Sequence, residues 1–225
     1  VGYSTSSDTS ISSSTNNGVV NYNVKIYGKG SHSHHRVGGI AGYYKGSLTN
    51  CENLKQVNIN TTVMVVEGED PTMATQIGGL CGLFSDGTAT NCKNSGNIVF
   101  GEDAEACGYC IGGLVGNLSS STLKSSSNEG EVKVLGDSTL STSGKVGIHI
   151  GGLAGYSSGT INNCTNGVLN DQTKGKITVS GKIYPSKDWG GLANSSSIGG
   201  LAGVVQGGNP VTSHNYAPID ATLHE

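Results

Sequence analysis

Ile111-Gly-Gly-Leu-Val-Gly116 decides the fold, because the chain repeats this phrase five times. The other copies are Val37-Gly-Gly-Ile-Ala-Gly42, Ile77-Gly-Gly-Leu-Cys-Gly82, Ile150-Gly-Gly-Leu-Ala-Gly155 and Ile198-Gly-Gly-Leu-Ala-Gly203. Their starts lie 40, 34, 39 and 48 residues apart (77−37, 111−77, 150−111, 198−150). A period in this range marks units too small to bury a core alone, which must therefore stack.

Working outward, each phrase leads into a second element. It reads Leu48-Thr-Asn-Cys-Glu-Asn53, Ala89-Thr-Asn-Cys-Lys-Asn94, Leu123-Lys-Ser-Ser-Ser-Asn128 and Ile161-Asn-Asn-Cys-Thr-Asn166. A third element alternates apolar residues: Val57/Ile59, Ile98/Phe100, Val132/Val134 and, after an insertion near Gly167–Thr173, Ile177/Val179. The chain opens with the second and third elements alone, Ile11 to Asn16 and Val20 to Ile26. The last copy, Val211 to Ile219, fits only with a one-residue slip. Its Pro218 suits a terminal edge strand.

Alternation at period two means strands with one face inward, and the Gly, Asn and Ser between them mean turns. No segment carries a 3.6-residue apolar stripe. The expected fold is all-β: a right-handed parallel β-helix, or β-solenoid, of about five to six coils with loop excursions. Residues 1–225 are read as one repeat domain. Because Val1 to Ser14 begin mid-pattern, the chain is expected to be a mature or excised piece of a longer protein. The phrase glycines are expected to permit a bulge, a positive φ or a close backbone approach. Leu80, Leu114, Leu153 and Leu201 are read as an internal ladder. Asn16, Asn53, Asn94, Asn128 and Asn166 are read as an amide ladder along the stack.

Composition narrows the function. Charged residues make up 13% of the chain and the formal net charge is −3, which argues against a nucleic-acid surface. No apolar run approaches the roughly 18–20 residues that span a bilayer.

The phrase, the following Asn-Cys-x-Asn and the Gly-x-Ile/Val step, as in Ile77 to Ile98, resemble the GLUG-motif repeat family over about Ile11 to Ile219. The resemblance implies a β-helical module of a large bacterial surface or secreted protein, of the kind found in gut Bacteroidetes. It implies exposure and a role in adhesion or spacing, and carries over no catalytic residue. The excursions at Asn60–Gln76 and Gly181–Ser197 lie outside the motif.

Candidate chemistry is thin. Cys51, Cys92 and Cys164 share a position taken by Ser126 in another copy, and read as small inward space-fillers, as does Cys81. Cys107-Gly-Tyr-Cys110 reads as packing or a local disulfide, with redox and half-metal-site readings left open. His32, His34 and His35 are the densest candidate metal ligands, but no carboxylate accompanies them locally, so solvated side chains are expected. His149 is expected to face outward. Asp86, Asp137, Asp171 and Asp188 sit in turns. The clusters Glu67-Gly-Glu69-Asp70 and Glu102-Asp103-Ala-Glu105 read as solvated loop tips, with a stacked Ca²⁺ patch as the alternative. Tyr43, Tyr44, Tyr156, Tyr184 and Trp189 fall beside phrases or in loops, and are the candidate ligand-binding residues, for sugar rings or a protein partner.

No catalytic, cofactor or metal set is expected. The reading is a non-enzymatic extracellular or cell-surface module, used in adhesion or in glycan or protein binding. A polysaccharide lyase or glycosidase, which needs two carboxylates about 5–9.5 Å apart, is the alternative, and a passive spacer is a third. The inward reading of Leu114 is testable. Leu114→Asp is expected to cost on the order of 4 kcal/mol, because an unpaired charge enters the stack. An unchanged thermal midpoint refutes the assignment.

Overall fold

The computed structural model describes residues 1–27, 35–64, 74–106, 108–138, 148–182, 196–208 and 210–222. Among them every regular element is a strand, and the sheets of corresponding repeat elements are parallel throughout. Equivalent elements of successive copies pair with each other. The phrase starts form a five-stranded sheet that runs through His35–Gly38, Ala74–Gly78, Gly108–Gly112, Ile148–Gly151 and Ser197–Gly199. The third elements form a six-stranded sheet and the Asn-bearing pairs another. The phrase ends and second elements curl into a nine-stranded sheet, because Cys81–Thr90 bends far enough to pair with both Val115–Ser119 and Thr122–Lys124. The arrangement fits a parallel β-helix, each copy one rung.

The phrase feeds two cores. Its first residue, as in Val37, Ile77, Ile111 and Ile150, joins Val57/Ile59, Ile98/Phe100, Val132/Val134 and Ile177/Val179 in one apolar cluster. Its fourth residue joins the other: Leu80, Leu114 and Leu153 are fully buried among Tyr44, Phe84, Leu118, Leu48, Leu123 and Ile161. Leu201, in the last rung, is only partly covered. Burying each such side chain is worth about 1.5–3 kcal/mol. The Gly-Gly pair is the passage between the two clusters.

That passage is walled by the asparagines. Asn16 Nδ2 donates to Asn53 Oδ1 (2.7 Å), Asn53 to Asn94 (2.7 Å), Asn94 to Asn128 (2.8 Å), Asn128 to Asn166 (2.8 Å) and Asn166 to Asn215 (2.8 Å). Each Nδ2 also donates to a carbonyl of its own turn, two residues on for Asn53, Asn94 and Asn128. For Asn166 that carbonyl is Gly175 O, so the insertion of the fourth copy bulges out and leaves the rung intact. The second glycine of each pair exists because this ladder fills its side-chain space. A Cβ on Gly79 would lie 2.2 Å from Asn94 Cγ, and one on Gly113 2.3 Å from Asn128 Cγ. None of the phrase glycines has a positive φ, so close approach is the constraint and left-handed backbone is not.

The left-handed corner lies elsewhere, at one position of the second element. Ser13, Asn50, Asn91, Ser125, Asn163 and Thr212 all have φ between 48° and 54°. Three of the six are Asn, which tolerates this region best after Gly. The next residue mortars the corner. Cys92 N donates to Ser126 Oγ (3.0 Å), Ser126 N to Cys164 Sγ (3.4 Å) and Cys164 N to Ser213 Oγ (3.1 Å). Cys and Ser interchange here because both accept a rung-to-rung N–H bond while donating to a nearby carbonyl. The last copy needs no slip. Pro210 takes the place of Ile161 and Asn215 pairs with Asn166. Pro210 opens its strand and Pro218 precedes one, where a missing N–H is tolerated.

Removing one ladder member strands two neighbours. Asn94→Ala leaves Asn53 Nδ2 and Asn128 Oδ1 short of a partner in a buried row, and is expected to cost about 3 kcal/mol. Asn16→Ala, at the exposed end, is expected to cost less than half of that. Urea denaturation of the two variants checks the ratio, and equal losses contradict a ladder whose strength comes from burial.

Candidate functional site

The residue after the last phrase glycine lies outside the two cores and forms a row along the stack. It runs Tyr3, Tyr43, Leu83, Asn117, Tyr156, Val204. Val1-Gly-Tyr3 is the same tripeptide pattern as Ala41-Gly-Tyr43 and Ala154-Gly-Tyr156, which is the signal that places Tyr3 in the row. A second row lies beside it on the phrase-start strands: Arg36, Gln76, Cys110, His149, Ser197. The phrase-end glycine lets the rows meet. A Cβ on Gly82 would sit 2.6 Å from Gln76 O and one on Gly42 2.7 Å from Arg36 O.

Two aromatic platforms stand on this double row. In the first, Tyr3 and Tyr43 rings tilt together at 4.7 Å, and the Arg36 guanidinium lies 5.0 Å from the centre of the Tyr43 ring. Arg36 Nε also donates to Gln76 Oε1 at 3.2 Å. Tyr3 is 64% exposed. In the second, Tyr156 lies 6.1 Å from the His149 ring and donates to Gln206 Oε1. Burial raises the Tyr156 phenol above its ordinary value. From Tyr43 to Tyr156 is three rung steps, about 14 Å at the spacing of paired strands.

The five sequence-derived candidates therefore separate. Tyr43 and Tyr156 share the outward row. Tyr44, next to Tyr43 on one strand, points the other way as strand geometry requires. It is 1% exposed, stacks at 6.3 Å on Phe84, and presents no face to a ligand. Tyr184 and Trp189 lie outside the described residues. Tyr3 and Arg36 are the members that the sequence reading missed. His149 departs from its outward reading: it is 3% exposed, with Nδ1 2.9 Å from Ser197 Oγ.

The acids are dispersed. Asp86 pairs with Lys45 at 2.8 Å, and that bond holds its carboxyl below the ordinary range. Asp171 accepts from the Thr173 hydroxyl (2.6 Å) and N–H (3.0 Å), which lowers it likewise. Asp137 lies across from Glu105 in the register and accepts the Lys182 N–H at 2.7 Å. Among the described residues no group of three or more His, Cys, Asp or Glu is placed to hold a metal ion. His35 is ring to ring with Tyr22 at 5.8 Å. His32, His34, Cys107, Asp188 and the Glu67–Asp70 cluster fall outside the described residues. Among the described residues no helix is long and apolar enough to cross a membrane. No family model, no curated protein and no solved structure matches this chain.

Cys51, Cys81, Cys92, Cys110 and Cys164 are free thiols, and all but the half-buried Cys110 are buried. Burial pushes Cys92 to about 11 and Cys110 to about 12, and raises Cys81 and Cys164 as well. These four raised thiols are not ready nucleophiles. An unfolded thiol releases its proton near 9.0, whereas the folded Cys92 keeps it until about 11. Stability linked to these thiols is thus complete below pH 9 and is lost as pH rises towards 11. A thermal midpoint that falls across that window, with no reaction of a native Cys107→Ser variant with a thiol reagent at about pH 8, is the expected result. Rapid labelling of folded protein under those conditions contradicts it.

Proposed function

We propose that this chain is a non-catalytic, extracellular module of a bacterial surface protein, built as a right-handed parallel β-helix of about five to six coils, and that it works in adhesion through glycan or protein contact. The observation that carries the reading is the outward row with its two tyrosine platforms, Tyr3/Tyr43/Arg36 and Tyr156/His149/Gln206, held on one rigid face. Amphipathic rings on a stiff frame suit shallow stacking against sugar rings or a protein surface, since little conformational freedom is lost on contact. Spacing by whole rungs favours an extended ligand that touches both platforms, where the second contact is made at high effective concentration. The resemblance to GLUG-motif repeats supports exposure at the cell surface. The sparse, net-negative charge argues against a nucleic-acid partner.

A glycan array probed with the intact chain, followed by titration of any hit, tests the reading. Tyr43→Ala and Tyr156→Ala are each expected to weaken binding about tenfold, and the double variant to abolish it. The thermal midpoint is expected to stay within a few degrees of the parent, because both rings lie outside the two cores. A hit that is indifferent to both substitutions contradicts the proposed face.

A further inference from the structure

Arg36 is the only arginine in the chain, and no carboxylate of the fold takes up its charge. Among the described residues Lys45, Lys93 and Lys176 each have a carboxylate oxygen within 3.3 Å, and Arg36 has none. Two other contacts hold its side chain. The guanidinium lies 5.0 Å from the centre of the Tyr43 ring, and Nε donates to Gln76 Oε1 at 3.2 Å. Gln76 is the register partner of Arg36 on the next phrase-start strand. The side chain thus leans along the stack, from its own rung towards the following one.

That posture decides which donors are left. A guanidinium carries its N–H groups in a rigid planar fork. Gln76 takes the Nε edge. The end-on edge, one N–H from each Nη, has no protein acceptor among the described residues. That edge matches the two oxygens of one carboxylate, a geometry that an ammonium cannot copy. A guanidinium is also weakly hydrated, so stripping its remaining water costs less than it would for lysine. Lys45, two residues beyond Tyr43 on the same strand, does not compete, because Asp86 neutralises it at 2.8 Å. Asp86 is itself neutralised by that pair. Beside the cation, the Tyr3 and Tyr43 rings stand 4.7 Å apart at 34°. Their phenol hydroxyls have no protein partner among the described residues.

We infer that the first platform selects a glycan whose sugar carries a carboxylate, a uronic or sialic acid residue. The carboxylate sits on the end-on edge of Arg36, and the C–H face of the sugar lies against the tyrosines. This rests on the reading of the double row as a binding face, and gives that face its ligand class. A sugar acid presents a carboxylate, hydroxyls and an apolar face on one rigid ring. Arg36, the phenol hydroxyls and the aromatic surface answer these one by one. An acidic peptide carries its carboxylate on a flexible stem, whose ordering lowers affinity. The second platform offers no exposed cation at the equivalent place, since His149 is 3% exposed. Discrimination by charge therefore belongs to the first.

The test titrates the intact chain with oligogalacturonate, a glucuronate-containing oligosaccharide and sialyllactose, each beside its methyl ester. The ester keeps the ring and removes the charge. At least one acid is expected to bind about tenfold more tightly than its ester, with a preference that shrinks as salt is raised. Arg36→Gln is expected to erase the preference and leave the ester's affinity unchanged. Arg36→Lys, which keeps the charge and loses the fork, is expected to retain only a small part of it. An unchanged thermal midpoint shows that both variants fold. Absence of a preference in every pair overturns the inference, and so does a preference that survives Arg36→Gln. Binding of polyglutamate that depends on Arg36, with no sugar acid bound, overturns the glycan class. Equal binding of acid and ester that still depends on Tyr43 and Tyr156 overturns this inference alone and leaves the binding face standing. Binding of no glycan at all removes both.

Discussion

Everything in this structure depends on the contact between a glycine that cannot grow and an asparagine that cannot move. The amide ladder runs between the two apolar clusters and hydrogen-bonds each rung to the next. Its side chains stand where the Cβ atoms of Gly39, Gly79, Gly113, Gly152 and Gly200 would be. The phrase and the Asn-bearing element, some fifteen residues apart in sequence, are thus one packing unit. Buried amides left unpaired are expensive, so a slip of one rung against the next would break several bonds together. This is a physical reason for strict register in a molecule with small cores and few charges.

Much of this was legible in the sequence, and the reason is chemical. A position that admits only glycine repeats without variation, and so does an amide that must both donate and accept along a line. The Leu ladder was legible because a fully buried row allows few substitutes. The outward row was less so. Tyr3, Tyr43, Leu83, Asn117, Tyr156 and Val204 share a place but no chemistry, because none of them packs in either apolar cluster and no common demand falls on them. Tyr43 and Tyr44 look alike in sequence, and only strand alternation sends one out and the other into the core. His149 looked polar and outward, yet it is only 3% exposed. The cysteines looked like space-fillers. Their second task, accepting an N–H of the preceding rung, needs the corner geometry to be seen.

The same division bears on function. Inward positions are so constrained that they carry no information about a ligand. What can specify a ligand is the double row and the excursions between rungs. On the double row, Arg36 is held over the Tyr43 ring and bonded to Gln76.

The direct measurement of the central constraint is a double-mutant cycle at Gly200 and Asn215. The nearest atoms to a Cβ on Gly200, at 2.5 to 2.9 Å, all belong to the Asn215 side chain. Gly200→Ala alone is expected to lower stability, Asn215→Gly alone to lower it through lost hydrogen bonds, and the pair to lose less than the sum by about 1 kcal/mol or more. Strict additivity of the two losses would mean that the glycine is not there to make room for the asparagine, and that phrase and ladder do not pack as one unit.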